Sequence, residues 1–468
     1  MDLRTEQIQA NNIIPIPIRG TPETERSNPT IAPIPTPKSD QVIANAAKLM
    51  KISNYQSSYD FETYRRLEQR FGLDQPRGGI VFGNSDPFKI INTHKSCQQC
   101  LYAFEMDTYG RGCVHDCAYC YSKAELTVHG YWNKPFPMPR DITSVWKEFY
   151  TVFETDKKSK WREILEKRIP LRIGSGSDGF MYMDRKYKVT HELLKILKHY
   201  NYPYIVVTRS DLVAHDDYMN VLDPDLASIQ LSIPSLNDEL NKKIEPGAPS
   251  AKRRLKAIQK LSRNGFWTTV RINPLFPIHP DGYFTDPNLP SEKKNLKFDY
   301  FSWDLINAIA DHGGQSLLVG MVRLSKFAMN NIERAIGMDL SPFFNDECRK
   351  SARDYHYSEI EIRAYYERIH AQSKQQGIQF TTCYIGNGEN MFWSDQDLWD
   401  NKKDCCNAQN RVKGFNTDAR KIDYDTRSKL SSIKGDAVNP AAINLELGSV
   451  DPKEIERQYK SKNVEFLQ

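Results

Sequence analysis

Short apolar runs alternate with amphipathic stretches along most of the chain after residue 170. The runs have the length of strands. The stretches between them repeat their apolar residues every three or four positions, which predicts helices. The predicted strands are Pro170–Ile173, Tyr204–Thr208, Ala227–Ile233, Trp267–Asn273, Ser316–Val322 and Gln379–Tyr384, after a first strand within Leu101–Tyr109. This alternation favours βα units around a parallel sheet.

The predicted helices that separate these strands are Thr190–Tyr200, Ala251–Asn264, Phe301–Asp311 and Ser358–Gln376. About six βα units predict an α/β fold, a partial (β/α)6 TIM-type barrel. In such a barrel, ligand sites gather at the carboxyl ends of the strands. We therefore look for chemistry in the segments that directly follow each predicted strand.

Composition changes along the chain and predicts its organisation. Residues 1–45 are polar and rich in proline, which is typical of a disordered leader. Residues 46–100 form a lead-in with a helical pattern at Tyr59–Phe71, and residues 101–325 form the barrel. We expect a C-terminal extension over residues 326–411, and a polar tail without periodicity over residues 412–468.

The overall composition narrows the class of protein. Apolar residues make up 39% and charged residues 26% of 468 residues, which is typical of a globular protein. The apolar runs are far shorter than a membrane span, and the N-terminus has no signal pattern, so we expect a cytoplasmic protein without membrane segments. Nine cysteines in such a compartment indicate metal binding rather than disulfides. A net charge of +5 permits a basic groove for nucleic acid without demonstrating one.

Three of the cysteines, Cys113, Cys117 and Cys120, have the spacing C-x3-C-x2-C. Thiolates are the ligands of iron–sulfur clusters, and a four-iron cluster held by three of them keeps one iron open for a small molecule. Two other interpretations remain. The spacing also fits one buried face of a helix, and a zinc site is conceivable although structural zinc favours paired C-x2-C units.

The cysteine motif, with an aromatic residue before its last cysteine, resembles the cluster loop of radical S-adenosylmethionine (SAM) enzymes. Further motifs follow it at Leu171–Phe180, Val206–Leu212, Ile229–Ser235, Ile244–Pro249 and Val270–Pro277. In this order they resemble the spore photoproduct lyase family and its relatives among the radical SAM DNA repair photolyases. The resemblance implies a radical SAM barrel with two cofactors, a [4Fe–4S] cluster on the three cysteines and SAM.

The resemblance also implies which residues contact SAM. Tyr119 would approach the adenine, and Ser177 would lie near the amino acid moiety. Arg209 would meet the carboxylate, where a cation is favoured by charge-assisted hydrogen bonds, and Ser232 would contact SAM from the fourth strand. Arg209 has a structural alternative, which is pairing with Asp211 or Asp216, and Ser177 has another, which is capping a turn. We expect Glu245, Arg253 and Arg254 to form a structural pair.

One departure from the lyase family concerns the donor of a hydrogen atom. In the lyase a cysteine just before the position of Ser177 returns a hydrogen atom to the product, whereas Gly174–Ser177 contains no thiol. Tyr121 matches a tyrosine of the lyase's hydrogen relay, and Cys383 is a candidate for the missing donor. We therefore expect a reaction that differs from the repair of spore photoproduct.

A second set of thiols consists of Cys97, Cys100, Cys405 and Cys406. A C-x2-C unit with two distant cysteines is a workable four-ligand site for zinc or for an auxiliary cluster. Such a site would tie the late segment to the barrel entrance. The alternative is that these cysteines bind nothing, and Cys348 has no expected role.

The leading hypothesis is a radical SAM enzyme of lyase or isomerase type that acts on a nucleic-acid base. The substrate would be a thymine-derived DNA lesion or a modified thymine, in repair or hypermodification, and the base would be flipped out of a duplex. The partners would be DNA and an external one-electron donor of the flavodoxin or ferredoxin type. One alternative is a radical SAM enzyme that modifies a peptide or protein with an auxiliary cluster. Another is a metal-binding nucleic-acid module without catalysis.

Overall fold

The structure is a computed structural model. It describes residues 87–91, 100, 102–110, 112–128, 137–140, 142–174, 176–345, 354–383, 395–401 and 404–415. The predicted leader, the predicted helix Tyr59–Phe71 and the predicted tail beyond residue 415 lie outside these residues. Cys97 and Cys348 also lie outside them.

One mixed sheet of eight strands organises the described residues. Its strands are β1 (Lys89–Ile90), β2 (Phe104–Met106), β5 (Leu171–Ile173), β6 (Tyr204–Thr208), β7 (Ala227–Ser232), β8 (Trp267–Leu275), β9 (Ser316–Met321) and β12 (Gln379–Thr382). Their order is β1-β2-β5-β6-β7-β8-β9-β12. The edge strand β1 is antiparallel to β2, and all other neighbours are parallel. Two small antiparallel sheets pair β3 (Tyr109–Gly110) with β4 (Met138–Pro139), and β10 (Leu324–Ser325) with β11 (Asp354–Tyr355).

Helices connect the strands. The α-helices are α1 (Tyr121–Val128), α2 (Ile142–Glu154), α3 (Arg162–Glu166), α4 (Asp184–Tyr187), α5 (Val189–His199), α6 (Asp216–Met219), α7 (Asp238–Ile244), α8 (Ala251–Arg263), α9 (Ser291–Lys294), α10 (Asp304–Asp311), α11 (Lys326–Ile336) and α12 (Glu359–Gln375). Short 3₁₀ helices lie at Asp211–Ala214, Ser341–Phe343 and Gln396–Leu398. No helix within the described ranges is long and apolar enough to cross a membrane.

The predicted α/β fold is confirmed. Seven parallel strands, with helices between them, form the partial barrel, and its edge strands β1 and β12 do not pair with each other in the described residues. The strand Tyr204–Thr208 has the predicted bounds, and the helix predicted at Ala251–Asn264 is found at Ala251–Arg263. These elements carry a strong periodic pattern, which is why sequence alone located them.

The sheet has one apolar face and one polar face. On β7, Ile229 and Leu231 belong to the large core that the helices cover, so the alternate residues Ser228 and Gln230 point to the inner face of the barrel. Strand pairing places further polar side chains on this inner face. They are Glu105, Arg172, Thr269, Arg271, Ser316 and Thr381.

Residues 404–415 close the amino end of the barrel, and we call this segment the base segment. Its Ala408, Val412 and Phe415 form an apolar cluster with Tyr102 and Ile205. Gly414 donates its backbone N–H to the carbonyl of Asp225, just before β7, at 2.7 Å. Asn407 donates to the hydroxyl of Ser316, the first residue of β9, at 2.8 Å. The carboxyl end of the barrel is therefore opposite to the base segment.

Candidate active site

The three cysteines of the C-x3-C-x2-C motif lie in one loop between β3 and α1, which we call the cluster loop. Cys113 and Cys117 are buried, and Cys120 is partly buried. Asp116 adopts a left-handed conformation with φ of 45°, and its N–H donates to the carbonyl of Cys113 at 3.1 Å. Asp116 also accepts a hydrogen bond from Lys123 at 2.5 Å. The loop is thus held by its own backbone and by α1.

Burial governs the chemistry of these thiols. It raises the pKa of Cys113 to about 12, and the negative charge of Asp178 adds to the effect. Burial also raises the pKa of Cys117 well above its usual value, against the charge of Arg209. Such thiols ionise when a metal takes the place of the proton. The arrangement fits thiolate binding to a buried metal centre.

The spacing of the sulfurs distinguishes a cluster from a single ion. Thiolates around one tetrahedral ion lie about 2.3 Å from the metal and therefore about 3.8 Å from one another. The sulfurs of Cys113, Cys117 and Cys120 do not all lie within 4.8 Å of one another among the described residues. A cluster whose irons occupy separate corners accommodates that separation, so the three residues fit a [4Fe–4S] group better than one ion.

A buried His–Asp pair fixes the cluster loop to the barrel. His115 lies 3.0 Å through Nε2 from Oδ2 of Asp178 and 3.0 Å through Nδ1 from the carbonyl of Gly247. The imidazole ring thus bridges the Asp178 carboxylate and the Gly247 carbonyl, which are both acceptors. Asp178 also accepts from the Thr208 hydroxyl at 2.7 Å and from the Arg209 N–H at 2.8 Å.

These bonds determine the charge of Asp178. Burial raises its pKa, but the interaction with His115 and the hydrogen bonds from Arg209 and Thr208 outweigh burial and lower the pKa to about 2. The carboxylate is therefore ionised at any ordinary pH. It joins the loop after β5 to the end of β6 and to the cluster loop.

Gly247 marks the closest approach between the cluster loop and the segment after α7. A Cβ atom at this position would lie 1.7 Å from the carbonyl oxygen of Val114, so any side chain would displace the loop. The N–H of Gly247 donates to the carbonyl of His115 at 3.1 Å, and Ala118 donates to Ile244 at 2.8 Å. The backbone of this segment forms one wall of the cluster loop.

Arg209 and Tyr119 meet at Glu245. Arg209 lies 3.5 Å through Nε from Glu245 Oε1 and donates through Nη2 to the Tyr119 hydroxyl at 3.2 Å. The Tyr119 hydroxyl donates in turn to Glu245. The buried Nε of Arg209 has no hydrogen-bond partner among the described residues. The Nε–H group is therefore ion-paired with Glu245 but makes no hydrogen bond with the described residues, which leaves this donor for an anionic ligand.

The alternative partners predicted for Arg209 bind other cations. Asp211 accepts from Nε of Arg253 at 2.8 Å, and Asp216 accepts from Lys260 at 2.6 Å. The expected structural pair consists of Glu245 and Arg254, which lie 2.5 Å apart and are fully buried, while Arg253 is half exposed. Burial raises the pKa of Glu245, but Arg254 and Arg209 lower it below its usual value.

Ser177 and Ser232, predicted near SAM, lie at the ends of β5 and β7. The Ser177 hydroxyl donates to the carbonyl of Tyr109 at 2.6 Å, and its N–H donates to Asp107 at 3.2 Å. Ser232 is buried, and its carbonyl accepts from Arg254 at 3.0 Å. Together with Arg209, both serines lie at the end of the barrel that carries the cluster loop.

The two predicted hydrogen-relay residues differ in environment. Tyr121 is the first residue of α1, and its side chain is 63% exposed. Cys383 directly follows β12, and its sulfur lies 3.8 Å from Nη2 of Arg271 on the inner face. Cys383 is the better placed of the two to face the barrel interior. The roles of both residues stay predictions.

Cys405 and Cys406 of the second thiol set lie in the base segment, at the opposite end of the barrel from the cluster loop. Asp404, Cys405 and Cys406 bring their ligand atoms within 4.8 Å of one another in the base segment. The sequence predicted an attachment at the barrel entrance, whereas the base segment lies at the amino ends of the strands. Cys100, two residues before Tyr102, reaches the same end of the barrel.

Sequence reasoning assigned no role to His115, Asp178 or Gly247. A signal existed for Asp178, because it lies in the loop after the parallel strand β5 and such loops form the ligand end of a barrel. His115 lies between two ligand cysteines, which is a weak signal by itself. Gly247 is recognised only when the neighbouring backbone is known.

A family model and two curated relatives match this chain. The model of the radical SAM superfamily matches residues 108–286. An uncharacterized protein, ORF301, of Acidianus two-tailed virus is 26% identical over 176 residues, which are 36% of this chain and 54% of that protein. The uncharacterized protein MJ0683 of Methanocaldococcus jannaschii is 28% identical over 170 residues, 36% of this chain and 58% of that protein. The matches thus span little more than half of each relative.

Two solved structures show a distant likeness. A spore photoproduct lyase variant with bound AdoMet and dinucleoside spore photoproduct has a TM-score of 0.40 and 15% identity, covering 61% of this chain and 77% of that one. Streptococcus suis SuiB bound to S-adenosylmethionine has a TM-score of 0.34 and 12% identity, covering 62% of this chain and 52% of that one. At these scores neither structure identifies a substrate for this chain.

Proposed function

We propose that this chain, whose residues 108–286 are a radical SAM domain, is an enzyme that cleaves SAM reductively and acts on a nucleic-acid base. The observation that carries the proposal is the cluster loop itself. Three cysteines of one loop, two buried and one partly buried, lie beside the side chain of Arg209 at the carboxyl ends of the barrel strands.

Each residue of the site has a proposed part. Cys113, Cys117 and Cys120 hold the [4Fe–4S] cluster. When bound, the cluster supplies the electron that splits SAM into methionine and a 5′-deoxyadenosyl radical. Asp178 holds His115, and thereby the loop, in place through the hydrogen bond at 3.0 Å.

Arg209 is the proposed anchor of the SAM carboxylate. Its buried Nε lies 3.5 Å from Glu245 and makes no hydrogen bond with the described residues, and 21% of the side chain is exposed, so a ligand can reach part of this side chain. Tyr119, which contacts both Arg209 and Glu245, closes the other side of this position. Ser177 and Ser232 complete the proposed SAM site at the ends of β5 and β7.

The inner face supports a substrate with several hydrogen-bonding groups. Ser228 Oγ, Gln230 Nε2 and Thr269 Oγ1 are buried and have no partner among the described residues. Gln230 and Thr269 are direct neighbours in the β7–β8 pairing, so their free groups lie side by side. A flipped base presents donors and acceptors along one edge, which such groups can bind. The motifs shared with the spore photoproduct lyase family, between Leu171 and Pro277, also favour a base.

A modified thymine fits this chain better than spore photoproduct. The loop Gly174–Ser177 contains no cysteine to return a hydrogen atom. Cys383, which lies beside Arg271 at the inner face, is the proposed donor in its place. An isomerisation that recycles its own hydrogen atom through SAM needs no thiol at all. The electron is proposed to come from an external donor of the flavodoxin or ferredoxin type.

The test is formation of 5′-deoxyadenosine by anaerobically reconstituted protein with dithionite, with and without DNA. We expect release that DNA stimulates and that Cys117→Ala abolishes, because the variant lacks one of the three cluster ligands. Release that ignores DNA would move the substrate to another class. Absence of both iron and release in the reconstituted wild type would refute the cluster.

Two further variants distinguish a specific loss of SAM affinity from a general loss of cluster or fold during purification. Arg209→Met keeps the cysteines, so we expect full iron content and SAM binding weakened about ten- to hundredfold, because a charge-assisted hydrogen bond contributes about 1.5–3 kcal/mol. Ile360→Ser replaces an apolar side chain that is 71% exposed on α12, and both its iron content and its SAM affinity should equal those of the wild type.

The second candidate is a radical SAM enzyme on a peptide or protein. The close grouping of Cys405 and Cys406 in the base segment is the observation that favours it, since an auxiliary cluster would need such thiols. Iron and sulfide bound by a variant that lacks Cys113, Cys117 and Cys120 would support this candidate.

A further inference from the structure

We propose that Arg271 and Asn273, two side chains on the inner face of β8, bind an anionic oxygen group of the substrate, either a carboxylate or a phosphate. This site rests on the proposed function and narrows its substrate to a base or nucleotide that carries such a group. The two residues are two positions apart in one strand, so their side chains point to the same face of the sheet.

Strand pairing sets Arg271 level with the proposed SAM site. Its partner on β7 is Ser232, and its partner on β9 is Leu318, which pairs in turn with Thr381 on β12. Ser232 belongs to the proposed SAM site, so Arg271 lies on the neighbouring strand at the same depth in the barrel. A substrate group held by Arg271 is therefore held beside the cofactor.

The guanidinium of Arg271 spans the inner face between two neutral groups. Its Nη1 donates to Oε1 of Gln230 at 2.7 Å, and its Nη2 lies 3.8 Å from the sulfur of Cys383. A guanidinium carries several N–H donors in a fixed fork, and a carboxylate or phosphate fits that fork. The side chain is 7% exposed, and a buried cation is favourable only when an anion or hydrogen-bond acceptors compensate for its lost hydration.

The other cations of the inner face lie beside carboxylates of the fold. Lys89 on β1 lies 2.8 Å from Glu105 and 2.5 Å from Asp107, and Arg172 on β5 lies 3.9 Å from Glu105. These two cations thus face two carboxylates. Arg271 contacts an amide and a thiol instead, so an anionic ligand is complementary to it.

A thiolate at Cys406 is the competing counter-ion for Arg271. The hydrogen bond from Cys405 lowers the pKa of Cys406, and the charges of Arg172 and Arg271 lower it further, against burial and the charge of Asp404. Arg172 has the larger effect of the two arginines. Replacing Cys406 therefore separates a ligand site at Arg271 from an internal ion pair.

Asn273 adds an amide to the site, and Gly320 makes room for it. Gly320 lies on the same face of β9 as Ser316, and a Cβ atom at Gly320 would lie 2.8 Å from Nδ2 of Asn273. Asn273 is partly exposed, and its side chain makes no hydrogen bond with the residues that the structure describes. Its amide N–H groups are therefore donors for a ligand that enters from the carboxyl end.

Cys383 places the third strand at the same position. Its N–H donates to the carbonyl of Val319, the residue before Gly320, at 2.7 Å. Its sulfur lies 3.8 Å from Arg271, and its side chain is partly exposed. The carboxyl ends of β8, β9 and β12 thus bring a guanidinium, an amide and a thiol together.

The experiment compares three ligands that differ in charge, which are thymidine, 5-carboxy-2′-deoxyuridine and thymidine 5′-monophosphate. Binding is measured by isothermal titration calorimetry on the anaerobically reconstituted full chain, with SAM and without a reductant, so that no turnover occurs. We expect one of the anionic ligands to bind about ten- to hundredfold more tightly than thymidine, because hydrogen bonds between charged groups are the strong ones. A preference for the first assigns the site to a carboxylate on the base, and a preference for the second assigns it to a phosphate.

The variants test whether Arg271 causes the preference. Arg271→Met should make the anionic ligand and thymidine bind alike, and Arg271→Lys, which keeps the charge, should retain part of the preference. Arg168→Met is the matched control, because Arg168 is also 7% exposed but donates to the carbonyls of Tyr200 and Asn201. Arg168→Met and Cys406→Ser should both keep the full preference.

Several outcomes would overturn the proposal. They are equal binding of the three ligands by the wild type, binding of none of them, a preference that survives in Arg271→Met, and a preference that is lost in Cys406→Ser. If Arg271→Met fails to fold, Asn273→Ala decides, because it should weaken the anionic ligand more than thymidine, and equal weakening refutes the site. Release of 5′-deoxyadenosine stimulated by DNA is a separate measurement, so the proposed function can hold where this site fails.

Discussion

The carboxyl end of the barrel and its inner face differ in how far their buried polar groups are hydrogen-bonded. At the carboxyl end, Asp178 accepts hydrogen bonds from His115, Thr208 and Arg209, and Glu245 is paired with Arg254. On the inner face, Ser228, Gln230 and Thr269 each carry a buried polar atom without a partner among the described residues. Both regions are inaccessible to bulk water, so they differ in whether other protein groups supply the hydrogen bonds of their buried polar atoms.

This difference separates scaffold from binding surface. A buried polar group that is fully hydrogen-bonded adds rigidity and fixes one arrangement, whereas an unpaired one costs free energy until a partner arrives. The carboxyl end thus holds the cluster loop in a fixed position. The inner face keeps free groups for a ligand, and its Arg271 donates to the side-chain oxygen of Gln230 at 2.7 Å. The following three predictions test this division.

Arg254→Met should cause the largest loss of stability. It removes hydrogen bonds to Pro249, Ser232 and Glu245, and it leaves a buried carboxylate without its main partner. We expect the free energy of unfolding to fall by about 3–5 kcal/mol, measured by urea denaturation. The neighbouring Arg253→Met is the matched control. Its side chain is 50% exposed, so the loss should stay below about 1 kcal/mol. Equal losses would contradict the division.

Asp178→Asn should cause a smaller loss that depends on pH. The folded pKa of about 2 is below the usual 3.8, so ionised Asp178 stabilises the fold by about 2 kcal/mol at neutral pH. This contribution is present above about pH 4 and is lost as the pH falls through 2. We therefore expect the gap between wild type and variant to shrink from pH 5 to pH 2 in denaturation of iron-free protein. A gap that stays constant would assign the loss to packing.

Two threonines on the inner face offer the smallest and sharpest comparison. Thr269 and Thr381 are both fully buried, but Thr269 Oγ1 has no partner whereas Thr381 Oγ1 binds the carbonyls of Leu317 and Cys405. Thr269→Val should leave the free energy of unfolding unchanged or raise it by less than about 1 kcal/mol. Thr381→Val should lower it by about 1–2 kcal/mol because two carbonyls lose a donor. The reverse order would mean that Thr269 is satisfied in the folded protein.

The sequence allowed the sheet to be predicted almost completely, for a physical reason. Strands buried on their outer face need apolar residues at every second position, and the helices over them need a longer period. The strand Tyr204–Thr208 was therefore found with both bounds, and β8 was found with an end two residues too early, at Asn273 rather than Leu275. The penultimate residue of β8 is Pro274, and a proline weakens the sequence pattern that predicts a strand.

The site was predicted only where its residues carry a distinctive chemistry. Cysteine spacing pointed to the cluster loop, and the resemblance to the spore photoproduct lyase family pointed to Arg209. No local signal showed that Glu245 would be the partner of Arg209, because the two are brought together by the ends of β6 and α7. The sequence also contains no local signal that the base segment closes the amino end of the barrel. Its contacts join Asp404 to Tyr102, which are 302 residues apart.

That separation has a consequence for how the protein is made. A ribosome releases Tyr102 long before Asp404, so the amino end of the barrel cannot close until Asp404 has been synthesised. Contacts so distant in sequence form late and slowly, which leaves the polar interior exposed to solvent during synthesis. A chain that is cut short before them would stay in that open form.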